Sequence, residues 1–129
     1  MQNRLRALVL DDERPARNYL VELIEQSGLA DVLAAVGRLP EARDLLLATS
    51  VDVVFVDVHL SCGENGLDLL RSPASGPRPA FVLATAFRHH AVEAGKLGAV
   101  DYLLKPFSEE CVEQCLRRIS ALRAGVHQA

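Results

Sequence analysis

Val51-Asp52-Val53-Val54-Phe55-Val56-Asp57 is a valine-rich run that stops on a carboxylate. Nearly continuous apolar character over so short a span suits a strand covered on both faces, as the strands of parallel sheets are. Two other segments behave alike: Asp11-Asp12 closes the run that ends at Leu10, and Lys105-Pro106 follows the run that ends at Leu104. Charged residues at the ends of several hydrophobic segments predict one polar site at one edge of a sheet.

Outward from Asp57, short apolar runs alternate with longer stretches of helical periodicity, the pattern of an α/β fold with a parallel sheet. Strands are expected over Arg6–Leu10, Val32–Val36, Val51–Val56, Ala80–Ala84 and Val100–Leu104. The first helix is expected to start at Arg14-Pro15, where proline suits the first turn, with Tyr19, Leu20, Leu23 and Ile24 on one face. The second spans about Pro40 to Thr49, with a looser stripe of Ala42, Leu45, Leu46 and Ala48, and a short third covers Gly66 to Arg71. His89 and His90 are expected to open an exposed start of the fourth, which ends near Leu97 with Gly98 as a left-handed cap. The fifth follows Pro106: Ser108 can cap it, Glu109 and Glu110 lie in its first turn, and Arg117, Arg118 and Arg123 lie toward its end, matching the helix dipole.

A chain of 129 residues accommodates one domain with a single core. The net charge of -3, from 14 basic and 17 acidic residues, gives no basic surplus for tracking phosphates, so direct nucleic-acid binding is not expected. No apolar stretch approaches a membrane span, and Met1-Gln2-Asn3-Arg4 leads into the chain without a signal pattern, so the expected location is the cytoplasm. Cys62, Cys111 and Cys115 match no zinc ribbon or redox motif and read as reduced thiols. Cys111 and Cys115, four apart, would share a helix face and can either ligate metal or pack; the lack of further ligands favours packing.

In an open parallel sheet the ligand site lies outside the carboxyl ends of the strands, near the point where strand order reverses. Asp11 and Asp12 follow the first strand, Asp57 the third, Thr85 the fourth and Lys105 the fifth. Clustered carboxylates call for a cation, and Mg2+ prefers such hard oxygen ligands and pairs them with phosphate oxygens. Asp12, Asp57 and a backbone carbonyl just beyond Asp57 can supply ligands, with Asp11 acting through water. With charge neutralised by the metal and Lys105, Asp57 can attack phosphorus and form an aspartyl phosphate, and Thr85 can donate to a phosphoryl oxygen. Any one of these residues alone reads as a solvent-facing strand end; five at one edge, in this order, do not.

On these motifs the chain resembles the receiver domain of two-component response regulators: Asp11-Asp12-Glu13, Asp57, Thr85-Ala86 and Asp101-Tyr102-Leu103-Leu104-Lys105-Pro106-Phe107 all match. The resemblance implies a flavodoxin-like (βα)5 three-layer sandwich of strand order 2-1-3-4-5, with the receiver over 1–125 and a tail, including His127, over 126–129. It implies phosphotransfer from a sensor histidine kinase to Asp57, and self-phosphotransfer and autodephosphorylation as the domain's only reactions. A cis peptide between Lys105 and Pro106 is implied as well. Phosphorylation would draw Thr85 inward and let Tyr102 rotate into the space, changing the face made by the fourth helix, fifth strand and fifth helix, where an output partner or a second copy can dock. Tyr102 also reads simply as an amphipathic aromatic at a strand edge. Asp11-Asp12-Glu13-Arg14-Pro15-Ala16-Arg17 and the Asp101–Phe107 segment are similar to receivers that precede LytTR-type DNA-binding domains. Such an output domain lies outside these 129 residues, so the chain reads as a stand-alone receiver or as part of a larger, transcriptional regulator.

The chain departs from the family where Val58-His59-Leu60-Ser61-Cys62-Gly63-Glu64-Asn65-Gly66 follows the acceptor in place of the usual methionine-proline pair. The family's metal-binding carbonyl would come from His59. His59 and Phe87 also occupy positions that tune loss of phosphate to water, and a bulky Phe87 predicts slow to moderate loss. Two other readings compete. A haloacid dehalogenase-type phosphatase would place a second aspartate where His59 stands, and a receiver-like interaction module would work without phosphorylation.

Overall fold

The computed structural model describes residues 4–128. Its strands are β1 (Leu5–Leu10), β2 (Ala30–Val36), β3 (Val53–Val56), β4 (Ala80–Thr85) and β5 (Asp101–Leu104), and its α-helices are α1 (Arg14–Ser27), α2 (Leu39–Ala48), α3 (Ala91–Lys96) and α4 (Glu109–Gln128). All strand pairs are parallel, in the order β2-β1-β3-β4-β5, so the chain is a flavodoxin-like α/β sandwich.

Strand periodicity sorts the core into two layers. Ala7, Val9, Val53, Phe55, Val82 and Ala84 point to one face and pack with Leu20, Leu23 and Ile24 of α1 and Val112, Leu116 and Ile119 of α4. The alternate residues Leu8, Leu10, Val54, Val56, Phe81 and Leu83 meet Leu39, Ala42 and Leu46 of α2 and Ala94 of α3. Both faces of β3 are covered, which is why its sequence does not alternate with polar residues. Each large side chain in these layers contributes about 1.5–3 kcal/mol by leaving water.

Several local expectations are corrected. Asp52 lies outside β3 because its carboxylate is committed elsewhere: Oδ2 accepts the Arg6 N–H at 2.8 Å, and Oδ1 pairs with Arg123 at 2.9 Å. Gly66–Arg71 forms a 3-10 helix in place of the third α-helix, started by the Asn65 side chain, which accepts the Leu67 N–H at 2.8 Å. His89 and His90 precede α3 instead of forming its first turn, with His90 at the cap position. Tyr19 stays half exposed and stacks beside Phe107, with ring centroids 6.3 Å apart. Of the two cysteines on α4, Cys115 is buried in the core but Cys111 is exposed. Burial pushes the Cys115 thiol pKa far above its ordinary value, with the charge of Asp101 adding to the effect.

Two terminations follow the expected chemistry. Gly98, at φ +91°, follows α3 in the left-handed region, and the Ser108 hydroxyl accepts the Cys111 N–H at 3.2 Å at the start of α4. The carboxyl ends of β1, β3, β4 and β5 therefore open on one edge of the sheet.

Candidate functional site

Asp11 follows β1 and Asp57 follows β3, and parallel registry between these neighbours brings the two carboxylates to the same edge. Lys105, just beyond β5, joins them: its Nζ donates to Asp11 Oδ2 at 2.7 Å and to Asp57 Oδ2 at 3.1 Å. The Lys105–Pro106 peptide is cis. Asp12 completes the group, since carboxylate oxygens of Asp11, Asp12 and Asp57 all lie within 4.8 Å of one another. The Ser61 hydroxyl donates to Asp12 Oδ2.

The burial of this cluster is unusual for charged groups. Asp11 is 2% exposed and Asp57 9%, and unpaired carboxylates at such depth are disfavoured. Burial raises the Asp11 pKa, against the lowering effects of the Lys105 hydrogen bond and the Glu13 N–H, which donates to Oδ1 at 2.9 Å. Burial pulls the Lys105 pKa down, but its bond to Asp11 and the charges of Asp57 and Asp11 outweigh this and leave it raised. Lys105 is therefore a firmly protonated cation between two carboxylates. One ammonium against three carboxylates leaves the pocket net negative, and an all-oxygen donor set of this kind fits a small hard divalent cation.

Thr85 ends β4 fully buried, and among the described residues its Oγ1 has no hydrogen-bond partner. Its carbonyl accepts the Lys105 N–H at 2.8 Å, which ties the hydroxyl-bearing strand end to the lysine-bearing one. Tyr102 is apart from this group: its hydroxyl donates to the Phe87 carbonyl on the loop after β4.

The segment after Asp57 folds into a small hairpin. Val58 is buried, His59 bridges Asn65 in antiparallel fashion, and the tip turns through Cys62 at φ +63° and Gly63 at φ +73°. Cys62 is a non-glycine residue in the left-handed region, a conformation that tight turns impose. Glu64 clamps the hairpin to the start of α2, accepting from Arg38 Nη2 at 2.7 Å and from the Leu39 N–H at 3.0 Å.

Three contributors escaped the sequence reading. Gly66 packs directly on the Asp57 backbone: a Cβ there would overlap the Asp57 carbonyl and meet Val56 Cγ1 at 2.7 Å. Its signal was the Asn65-Gly66 turn dipeptide, but the contact itself depends on the hairpin path. Arg17 holds the Asp11 carbonyl at 2.9 Å. Ser61 reaches Asp12 from the loop that replaces the family's usual methionine-proline pair.

Above the pocket the exposed His59 ring points toward the segment preceding α3. His59 Nε2 lies 2.9 Å from His90 Nε2, the His59 ring meets Phe87 edge-on at 4.4 Å, and His89 stacks obliquely on His90 at 4.0 Å. Burial, then the proximity of His89 and His59, lowers the His90 pKa. Among the described residues, no helix is long and apolar enough to cross a membrane.

Comparison with known proteins matches residues 7–117 to the family described as response regulator receiver domain. The transcriptional regulatory protein LytR of Staphylococcus aureus is 36% identical over 121 residues, covering 93% of this chain and 49% of LytR. The chain spans about half the length of the curated relatives it matches. The REC domain of AraT, a response regulator from Geobacillus stearothermophilus, superposes with a TM-score of 0.83 at 26% identity, covering 98% of this chain and 100% of that one. A response regulator protein from Burkholderia pseudomallei, solved with a phosphorylated aspartic acid, calcium ion and citrate, has a TM-score of 0.74 at 27% identity, covering 95% of this chain and 72% of that one.

Proposed function

We propose, proceeding from the fact that this chain belongs to the response regulator receiver domain family, that Asp57 accepts a phosphoryl group from a histidine kinase and that the resulting aspartyl phosphate resets a docking face. The observation that carries this reading is the Lys105 ammonium bridging Asp11 and Asp57 at 2.7 and 3.1 Å, a cation placed where a transferred phosphoryl group would need one.

In the transfer, an Asp57 carboxylate oxygen attacks phosphorus while the phosphorus–nitrogen bond to the donor imidazole breaks, and the electron pair leaves with that imidazole. Lys105 exchanges its contact with the Asp57 carboxylate for a phosphoryl oxygen and keeps Asp11. The unpartnered Thr85 hydroxyl donates to a second phosphoryl oxygen, which gives a buried donor the partner it lacks. Asp12 and Asp57, with Asp11 through water and the His59 backbone carbonyl, would hold Mg2+, which supplies charge neutralisation at the phosphoryl group. The phosphorylated aspartic acid and calcium ion in the Burkholderia protein support this assignment by likeness.

Movement of Thr85 toward the phosphate opens space that the Tyr102 ring can fill once its hydroxyl leaves the Phe87 carbonyl. The face made by α3, β5 and α4 changes with it. Likeness to the transcriptional regulatory protein LytR supports a transcriptional output domain as the recipient of that change; the same altered face is also where a second copy can dock. Phe87, in edge-on contact with His59, impedes an attacking water and makes the loss of phosphate slow to moderate, while His59 either orients that water or crowds the site. The domain acts in the cytoplasm as a switch, not as an enzyme turning over external substrates.

Incubation with Mg2+ and acetyl phosphate, read by intact mass, should add one phosphate to wild type and none to Asp57→Asn. Beryllofluoride should shift the NMR signals of Thr85 and Tyr102 and, by size exclusion, promote dimers. An unmodified wild type under these conditions would leave the phosphorylation-independent interaction module as the better reading.

A further inference from the structure

Three of the chain's four histidines meet at one place, although they come from two separate segments of sequence. His59 stands on the hairpin after β3, and His89 and His90 stand on the segment that leads into α3. One ring nitrogen from each lies within 4.8 Å of the others, and the rings are solvent-accessible to differing degrees. The phosphoryl transfer to Asp57 uses none of these imidazoles, and only His59 borders the site of its later loss.

We propose that His59, His89 and His90 form a binding site for a divalent transition metal ion of the zinc class, separate from the carboxylate pocket. Imidazole nitrogen is a borderline donor that suits zinc, copper and nickel, whereas magnesium selects the oxygen pocket below, so the two sites sort ions by chemistry. Tetrahedral zinc with Zn–N bonds of about 2.0–2.1 Å separates two ligand nitrogens by about 3.3 Å. His59 Nε2 and His90 Nε2 are 2.9 Å apart, so a small opening of this pair admits an ion. His89, packed against His90 with ring centroids 4.0 Å apart, supplies the third nitrogen through a side-chain rotation. Glu93, one turn into α3, contributes negative charge near His90, as carboxylates around zinc-bound imidazoles commonly do. Three protein ligands leave the fourth position to water. Phe87, edge-on to His59 and to His90, walls one side of the cluster.

An ion held this way cross-links the hairpin after Asp57 to the segment carrying the Phe87 carbonyl, the acceptor of the Tyr102 hydroxyl. Its occupancy would restrain both loops that border the acceptor.

The test is a zinc titration of the whole chain by calorimetry, in excess Mg2+ so that the carboxylates do not compete. Wild type should bind one zinc ion, and His59→Ala and His90→Ala should each bind roughly tenfold or more weakly. Cys62→Ser and Asp57→Asn should bind as wild type does, and X-ray absorption should show nitrogen and oxygen neighbours without sulfur. Absence of zinc binding in wild type overturns the proposal. So does binding that survives both histidine substitutions while circular dichroism shows each variant folded, or binding lost in Cys62→Ser or Asp57→Asn.

Discussion

The carboxylate pocket and the histidine rim are neighbours built by opposite means. Asp11, Asp57, Thr85 and Lys105 each sit at the end of a strand, so the registry of four parallel strands brings them together almost independently of loop sequence. His59, His89 and His90 stand on connecting segments, and their meeting depends on a hairpin tip and on where α3 begins. The first group is buried, with its charges in mutual contact; the second is largely open to water. Sheet geometry thus places the pocket, while loop conformation places the rim.

The comparison can be broken most severely at Gly66, where the hairpin touches the Asp57 backbone. Gly66→Ala forces a Cβ into the Asp57 carbonyl and should cost about 3 kcal/mol or more in urea unfolding, with loss of phosphorylation. A cost within experimental error would show that the hairpin moves freely and that the pocket does not lean on it.

A smaller effect is expected at Lys105. Lys105→Met leaves Asp11 and Asp57 facing each other without their shared cation, and since the lysine side chain is 18% exposed, the loss should be about 1–2 kcal/mol, below that of a fully buried pair. Added Mg2+ should recover much of it, and chelation with EDTA should remove that recovery. If metal does not affect the variant's melting temperature, the pocket is not a cation site.

How much of this was legible beforehand follows the same division. The run ending at Asp57, the pair Asp11-Asp12, Thr85 and Lys105 were readable because strand ends in a parallel sheet share one edge, so chain order alone implies convergence. Ser61, Gly66 and the histidine cluster were not, because backbone turns set them. Cys62 adopts a left-handed conformation that no local residue preference announces, and the short Gly66–Arg71 segment tightens to 3-10 geometry that periodicity does not separate from an α-turn. His89 and His90 looked like exposed helix-openers because the start of α3 lies later than the pattern suggested.

Thr85→Val should sharpen the contrast between stability and response. The hydroxyl has no partner, so exchanging it for a methyl should be neutral or stabilising by up to about 1 kcal/mol, while the beryllofluoride-induced shifts at Tyr102 disappear. Marked destabilisation would mean that the hydroxyl already has a partner in solution.

The smallest effect lies at the clamp between hairpin and α2. The Arg38 hydrogen bond and the Leu39 N–H hold the Glu64 pKa below 4.5, so its stabilising contribution is present above that value and fades as pH falls through the depressed one. Glu64→Gln should therefore lower stability slightly in the neutral region and flatten the acid limb of a stability-against-pH curve, so that variant and wild type converge at low pH. An unaltered acid limb would mean the clamp is open in solution.

The three thiols divide the molecule for a chemist's purposes. Cys62 caps the hairpin beside the pocket and Cys111 lies on the first turns of α4, both exposed, whereas Cys115 is sealed in the core with its thiolate suppressed. Alkylation of the native chain should therefore stop at two labels and reach three only on denaturation. The protein consequently carries its own pair of attachment points for spin labels or fluorophores, one on the hairpin after Asp57 and one on α4, so that motion between them can be followed without engineering a new cysteine.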